Sequence, residues 1–131
     1  MKPSQAIRRQ VLRGIALNRT PGLHFAGNFL DVAFDRVGRE GTLLSFEPGA
    51  WCADAGGPPD LGSLAILADL GLAASIRAHL PPETRLGTVT LSLQFTGAPC
   101  TGRLRAEGHF EGFLKEGAGR LAMSRVSLRG R

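Results

Sequence analysis

One aspartate interrupts the most apolar stretch of the chain. Asp69 stands in the segment Ile-Leu-Ala-Asp-Leu-Gly, and at helical spacing Ile66, Leu72 and Ala73 share its face. Burying a carboxylate without a partner is costly, so this acid is either paired for structural reasons or lines a cleft in which its environment suits catalysis. In a cleft, the carboxylate can act as a general base on water or as a nucleophile on a carbonyl carbon.

A glycine at the start of the same predicted helix is the second candidate. Gly62 precedes Asp69 by seven residues, so both lie on nearly the same helix face, roughly 10 Å apart. The N–H groups at a helix start can polarise a carbonyl, but they and the attacking acid must each come within about 3 Å of the reacting group. If the two cooperate, Asp69 of one subunit must meet the helix start of another, which predicts a site at a dimer interface. Alternatively, Gly62 only eases the entry of the loop into the helix.

The element that carries these residues is a predicted helix over residues 61–80. Asp60 is a natural N-cap before it, and Pro81 with Pro82 closes it. Its leucines and isoleucines fall on all sides of the helical wheel, and a helix that is apolar all round is a buried one. The pattern therefore predicts a central helix enclosed by the rest of the chain.

The other predicted elements are a second helix and a set of strands. Apolar residues at helical spacing, with arginines on the other side, predict an amphipathic N-terminal helix over residues 4–18. Strands are predicted where branched and aromatic residues are frequent or where apolar and polar residues alternate. These segments are residues 28–35, 41–47, 86–96, 103–111 and 121–128. No helix separates the strands that follow the central helix, so the sheet should be antiparallel. We predict one α+β domain over residues 1–131, with a curved antiparallel sheet of about five strands wrapped around the central helix.

Composition and charge limit the classes of partner. The chain has 131 residues and a net charge of +5, which would suit nucleic acid or an anionic ligand. The basic residues are spread along the chain and no nucleic-acid module motif occurs, so no nucleic-acid partner is expected. Asp69, Arg77 and His79 interrupt the longest apolar stretch, so neither a membrane span nor a membrane partner is expected.

Cysteine usage and the N-terminal residues bear on the cellular compartment. Cys52 and Cys100 give neither a metal-ligand spacing nor a disulfide framework, and the chain starts without an apolar signal core, so a cytoplasmic location is expected. Residues 1–30 contain arginines but no acid, as a mitochondrial transit peptide would, and this alternative stays open.

A longer pattern brings the candidate residues together. The segment from Asp60 to Phe95, DLGSLAILADLGLAASIRAHLPPETRLGTVTLSLQF, is followed by Pro99 and by the strands RLRAEGHF and GRLAMSRVSLRG. Over about residues 22–130, this arrangement resembles the phenylacetate-degradation type of hotdog acyl-CoA thioesterases. In that family a helix beginning His-Gly-Gly leads to an Ala-Asp pair, and a Thr/Val-rich strand, a Pro-containing turn and two long strands follow.

The resemblance implies roles for single residues. It implies that Asp69 is the catalytic acid and that Thr88 helps to position the attacking water. This chain departs from the family at the helix start, because Asp60-Leu61-Gly62 stands in place of His-Gly-Gly. The backbone N–H groups of Leu61 and Gly62 would polarise the substrate carbonyl, whereas Asp60 would either cap the helix or contact the substrate.

The activity that the resemblance implies is metal-free hydrolysis of an acyl-CoA by dimers, or by tetramers built from dimers. No cofactor is expected beyond the CoA of the substrate. A carboxylate at Asp60 would oppose the negative charge that develops on the carbonyl oxygen. We therefore keep an alternative from another class, a catalytically silent hotdog domain that binds an acyl-CoA or related ligand as a sensor or accessory subunit.

Overall fold

The computed structural model describes residues 2–17, 25–52, 58–97, 100–116 and 119–130. In chain order its elements are α1 (Pro3–Leu17), α2 (Phe25–Leu30), β1 (Ala33–Gly38), β2 (Gly41–Phe46), α3 (Leu61–Arg77), β3 (Leu104–Glu116) and β4 (Gly119–Arg129). The predicted α+β class is confirmed. No helix within these ranges is long and apolar enough to cross a membrane.

The four strands form one sheet in the order β1-β2-β3-β4, and each neighbouring pair is antiparallel. The predicted antiparallel sheet is thus confirmed. β1 and β2 form a hairpin that turns at Arg39 and Glu40. α3 lies between β2 and β3 in the chain, yet β2 pairs directly with β3. The chain therefore leaves the sheet after β2, forms α3 on one face of the sheet, and returns as β3 beside β2.

The first predicted strand, over residues 28–35, is wrong in its N-terminal half. Residues 28–30 belong to α2, Asp31 follows with a φ of 60°, and β1 begins only at Ala33. Leu30 is 1% exposed and belongs to the hydrophobic core. Tertiary packing therefore overrides a local composition that suits a strand.

The strand predicted over residues 86–96 is absent from the sheet, which has four strands in the described chain instead of about five. Val89 and Phe95 in this segment are 80% and 57% exposed. Alternation of apolar and polar residues indicates a backbone that suits a sheet, but a strand also needs a neighbouring edge that is in reach. The sequence pattern supplies only the first of these conditions.

The core lies between α3 and the inner face of the sheet. On the strands, Leu44, Phe46, Leu104 and Ala106 are at most 1% exposed, and Leu67 is buried on the helix. Leu104 and Ala106, two positions apart on β3, therefore face inward, as the alternation in this strand leads one to expect. This packing holds one face of α3 against the sheet.

α3 differs in two ways from the predicted helix. It ends at Arg77, three residues before the predicted end at residue 80. It is also not enclosed on all sides, because Leu61 at its start is 65% exposed while Leu64 and Leu67 are buried. A four-stranded sheet covers one face of a helix, and the apolar residues on the other face need a different cover.

The helix approaches the sheet most closely where two glycines meet. A Cβ added at Gly108 of β3 would lie 2.5 Å from the carbonyl oxygen of Gly71 and 2.6 Å from Oγ1 of Thr42. Thr42 donates its hydroxyl to the same Gly71 oxygen over 3.4 Å. Glycine at position 108 is thus a requirement of backbone packing against backbone.

We predict that Gly108→Ala lowers the free energy of unfolding by about 1–3 kcal/mol, the usual cost of forcing an extra group into a packed core. The backbone of Gly71 cannot move aside as a flexible side chain would. Gly87→Ala is the matched control, because a Cβ there meets nothing within 4 Å. Urea unfolding measures both variants, and equal stability of the two would contradict the close contact.

Candidate active site

Asp69 and Thr88 are joined by a hydrogen bond. The hydroxyl of Thr88 donates to Oδ1 of Asp69 over 2.6 Å, although the two residues are 19 positions apart in the chain. Asp69 is partly buried and Thr88 is exposed. The carboxylate thus has both a polar partner and contact with solvent, which removes the cost of burying it alone. We call this pair the acid site.

Helix geometry turns Asp69 away from the sheet. Gly71 contacts Gly108 on the sheet, and the two residues from Asp69 to Gly71 correspond to a rotation of about 200° around the helix axis. Asp69 therefore lies on the side of α3 opposite the core. The face that carries the acid is the face that the four strands leave uncovered.

The chain that follows α3 brings Thr88 back along the helix. The guanidinium of Arg77 donates to the carbonyl oxygen of Thr84, which ties the returning chain to the end of the helix. From Arg77 back to Asp69 the helix spans about 12 Å, and from Thr84 to Thr88 an extended chain spans about 13 Å. The two paths match in length, so Thr88 arrives beside the acid.

The start of α3 is capped by Asp60, as predicted. Asp60 has extended backbone angles, its Oδ1 accepts from the N–H of Ser63 over 2.8 Å, and its Oδ2 accepts from the Ser63 hydroxyl over 3.1 Å. The N–H of Asp60 donates to the carbonyl oxygen of Cys52 over 2.8 Å. The cap is therefore held from both sides. We call Asp60, Leu61 and Gly62 the helix-start site.

The cap leaves the first helical N–H groups open. The Asp60 carboxylate bonds to Ser63, so the N–H groups of Leu61 and Gly62 have no acceptor among the described residues. A helix start has such unpaired N–H groups and the positive end of the helix dipole, and it therefore attracts a developing negative charge. The side chain of Leu61 is 65% exposed, so it does not lie within the core of its own chain.

The acid site and the helix-start site lie apart on one chain. Seven residues of helix separate Gly62 from Asp69, which corresponds to about 10 Å along the axis. Both residues lie on nearly the same helix face. A single reacting carbonyl cannot touch both sites of one chain, but sites from two chains can converge on it.

Sequence reasoning missed two residues that support these sites. In the sequence, Arg77 interrupts an apolar stretch, and in the structure it anchors the loop that delivers Thr88. Cys52 is 2% exposed and joins the core beneath the helix start. Arg77 donates to the backbone carbonyl of Thr84, whereas the backbone carbonyl of Cys52 accepts from the N–H of Asp60. Such contacts with backbone groups leave no periodic signal in the sequence.

Burial raises the pKa of the Cys52 thiol, and the charge of Asp60 nearby raises it further, although a hydrogen bond with the backbone of Gly49 acts in the opposite direction. The thiol donates to the carbonyl oxygen of Gly49 over 3.5 Å. A thiol with a raised pKa stays protonated at neutral pH, and the protonated form is a poor nucleophile. Cys52 therefore supports the helix start as a neutral, packed side chain.

A groove of about 980 Å³ runs between residues 90–97 and β4. Its lining includes Leu64 and Leu72 of α3 and Val126 and Leu128 of β4. β4, the last strand of the sheet, and part of the segment that the sequence predicts to be a strand thus border the same groove.

Comparison with known proteins identifies the fold. Neither a scan against protein-family models nor a search of curated proteins gives a match. A crystal structure of the BH2602 protein from Bacillus halodurans with CoA is similar, with a TM-score of 0.71 at 14% sequence identity. The similarity covers 96% of this chain and 83% of that one. The chain therefore has a hotdog-like α+β fold.

We predict that Cys52 reacts with a thiol reagent at least about tenfold more slowly than an exposed cysteine, because its thiol is buried and protonated. The measurement is the rate of modification in a Cys100→Ser variant, where Cys52 is the remaining thiol. The rate should rise only above the usual pH range of thiol ionisation and reach that of a free thiol in denaturant. Rapid modification of the folded protein at neutral pH would contradict the neutral, packed state.

Proposed function

We propose that this protein is a metal-free acyl-CoA thioesterase whose active site forms between two copies of the chain. The observation that carries the proposal is the hydrogen bond from Thr88 to Asp69. It orients a carboxylate on the open face of an apolar helix, and it occupies Oδ1 while leaving Oδ2 for a water or a substrate. The crystal structure of the similarly folded BH2602 protein with CoA supports a CoA-type ligand.

The proposed chemistry uses the free oxygen of Asp69 in one of two ways. As a general base, it takes a proton from water while the water oxygen attacks the thioester carbonyl. As a nucleophile, it bonds to the carbonyl carbon, and water then hydrolyses the resulting anhydride. In both routes the bond between carbon and sulfur breaks, CoA leaves as a thiolate that takes up a proton, and the free acid forms. Thr88 holds the carboxylate in the same orientation in either route.

The helix-start site supplies the second half of the reaction. We propose that the N–H groups of Leu61 and Gly62 from the second copy bind the carbonyl oxygen and stabilise its negative charge during attack. An amide donor needs no particular side chain, so Leu61 can serve where relatives have glycine. Asp60 is committed to Ser63, so its carboxylate does not occupy these two donors.

The apolar surface beside the acid site supports an assembled form. Val89 and Phe95 are 80% and 57% exposed, and they alternate with neutral polar residues from Thr88 to Gln94. We propose that residues 86–96 form the fifth strand of the sheet in a dimer, where a second copy covers these side chains. Dimers of this kind would also bring a second helix start close to Asp69.

We predict that Asp69→Asn lowers kcat by about 10²–10⁴-fold, because the amide neither accepts the proton nor attacks the carbonyl. Thr88→Val, which removes only the hydroxyl, should lower kcat by about 10-fold or more through loss of a hydrogen bond to a charged group. Thr90→Val is the matched control, since Thr90 is an exposed threonine two residues further on. Thiol release from short, medium, long-chain and aromatic acyl-CoAs measures all four proteins.

Each outcome of this panel has a distinct meaning. Full activity of folded Asp69→Asn would overturn the assignment of the acid. Binding of acyl-CoA without turnover on any substrate would favour the alternative, a silent domain in which the charge of Asp60 opposes the reaction. Equal losses in the Thr88 and Thr90 variants would indicate a general effect on the segment.

Subunit complementation tests the shared site. We predict that Leu61→Pro is folded but inactive, because proline removes one N–H yet is tolerated at the first position of a helix. The extended conformation of Asp60, with φ −65° and ψ 159°, is compatible with a following proline. Mixing unfolded Leu61→Pro and Asp69→Asn chains and refolding them together should restore about a quarter of the wild-type activity, because half of the dimers are mixed and each holds one intact site. No recovery in a mixture that contains mixed dimers would contradict a site shared between copies.

A further inference from the structure

α1 is joined to the rest of the molecule along one side. It packs mainly against α2, and Gln10 and Gly14 are the buried residues of that side. Arg13 forms an ion pair with Asp31 over 2.7 Å, and this hydrogen-bonded contact raises the pKa of the guanidinium. The helix is thus held in a defined rotation relative to α2.

The opposite side of α1 carries apolar residues next to arginines. Leu12 lies two residues from both Gln10 and Gly14 and therefore on the far side of the helix. Leu12 is 57% exposed and Ile15 is 49% exposed. Arg8 precedes Leu12 by one helical turn, and Arg9 flanks it, and both arginines are exposed. We call Arg8, Arg9, Leu12 and Ile15 the outer stripe.

The outer stripe lies in an acid-free part of the chain. Residues 1–30 contain no aspartate or glutamate, and Asp31, the first acid, is paired with Arg13. Arg8 and Arg9 take part in none of the ion pairs found among the described residues. Their charges are therefore available to an external anion.

We propose that the outer stripe docks the protein on an anionic phospholipid surface. Helices that lie in a membrane interface combine arginines or lysines with exposed leucine or isoleucine, so that the charges meet the headgroups while the apolar side chains enter the acyl boundary. The expectation of no membrane partner rested on the lack of a spanning segment, and a helix that lies on the surface needs none. In a dimer two stripes would act together and strengthen the attachment.

Two other occupants fit the stripe less well. A symmetric contact between two outer stripes would bring Arg8 and Arg9 of both copies into one interface to which residues 1–30 contribute no acid, and like charges would repel. A nucleic acid would use the arginines but would leave Leu12 and Ile15 in contact with phosphates and water. Charge and apolar exposure together favour lipid.

Co-sedimentation with vesicles tests the proposal without reference to catalysis. Wild-type protein should bind vesicles that contain phosphatidylglycerol and should not bind pure phosphatidylcholine, and salt should weaken the binding. Arg8→Glu with Arg9→Glu should reduce binding at least about tenfold, and so should Leu12→Ser with Ile15→Ser. Arg36→Glu with Arg105→Glu is the matched control, because these arginines are exposed on the sheet. This control changes the net charge by the same amount as Arg8→Glu with Arg9→Glu, and it should leave binding nearly unchanged.

The overturning results are equally specific. Failure of the wild type to bind phosphatidylglycerol vesicles, or equal losses in the stripe and control variants, would overturn the proposal. Binding of duplex DNA instead of vesicles would assign the stripe to nucleic acid. A lower mass of Leu12→Ser with Ile15→Ser by light scattering would assign it to an interface between copies. Circular dichroism of each variant establishes that α1 is intact.

Discussion

The bare contact between Gly71 of α3 and Gly108 of β3 sets the position of the central helix on the sheet. Because no side chain separates the two backbones there, the helix lies deep against the strands and its rotation is restricted. Fixing that rotation also fixes the opposite face, which carries Asp69. The acid site therefore depends on a packing contact on the other side of the helix, and the glycines serve the site without touching it.

The same rotation explains how an apolar helix can hold a carboxylate. Asp69 accepts a hydrogen bond from the hydroxyl of Thr88, which is a neutral donor. A neutral donor orients the carboxylate without cancelling its charge, whereas an ion pair would hold the group as a structural element. The anchor at Arg77 and Thr84 makes this arrangement possible, because it sets where the returning chain begins.

Among the described residues, exposed apolar side chains lie on the segment with Val89 and Phe95 and on the outer stripe of α1, and the chemistry of these surfaces differs. In residues 86–96, apolar side chains such as Val89 and Phe95 alternate with neutral polar residues, which suits a strand whose apolar side chains a second copy of the chain covers. The outer stripe of α1 places Leu12 and Ile15 beside arginines, which suits an anionic surface. Exposed apolar side chains alone would not distinguish these partners, but the charge around them does.

The sequence by itself determined the α+β class, the antiparallel pairing, the start of the central helix at Asp60 and the distance between Gly62 and Asp69. These properties follow from hydrophobic periodicity, capping and helical rise, which act over a few neighbouring residues. Tertiary structure alone decided that residues 28–30 are helical, that residues 86–96 are unpaired in the described chain, and that Arg77 donates to the carbonyl oxygen of Thr84. Each of these depends on which face, edge or donor lies within reach after folding, and local pattern carries no information on that. The hydrogen bond between Thr88 and Asp69 depends on sequence and on tertiary structure. The family resemblance of the sequence indicates the two residues, but only the path of the chain after α3 brings them into contact.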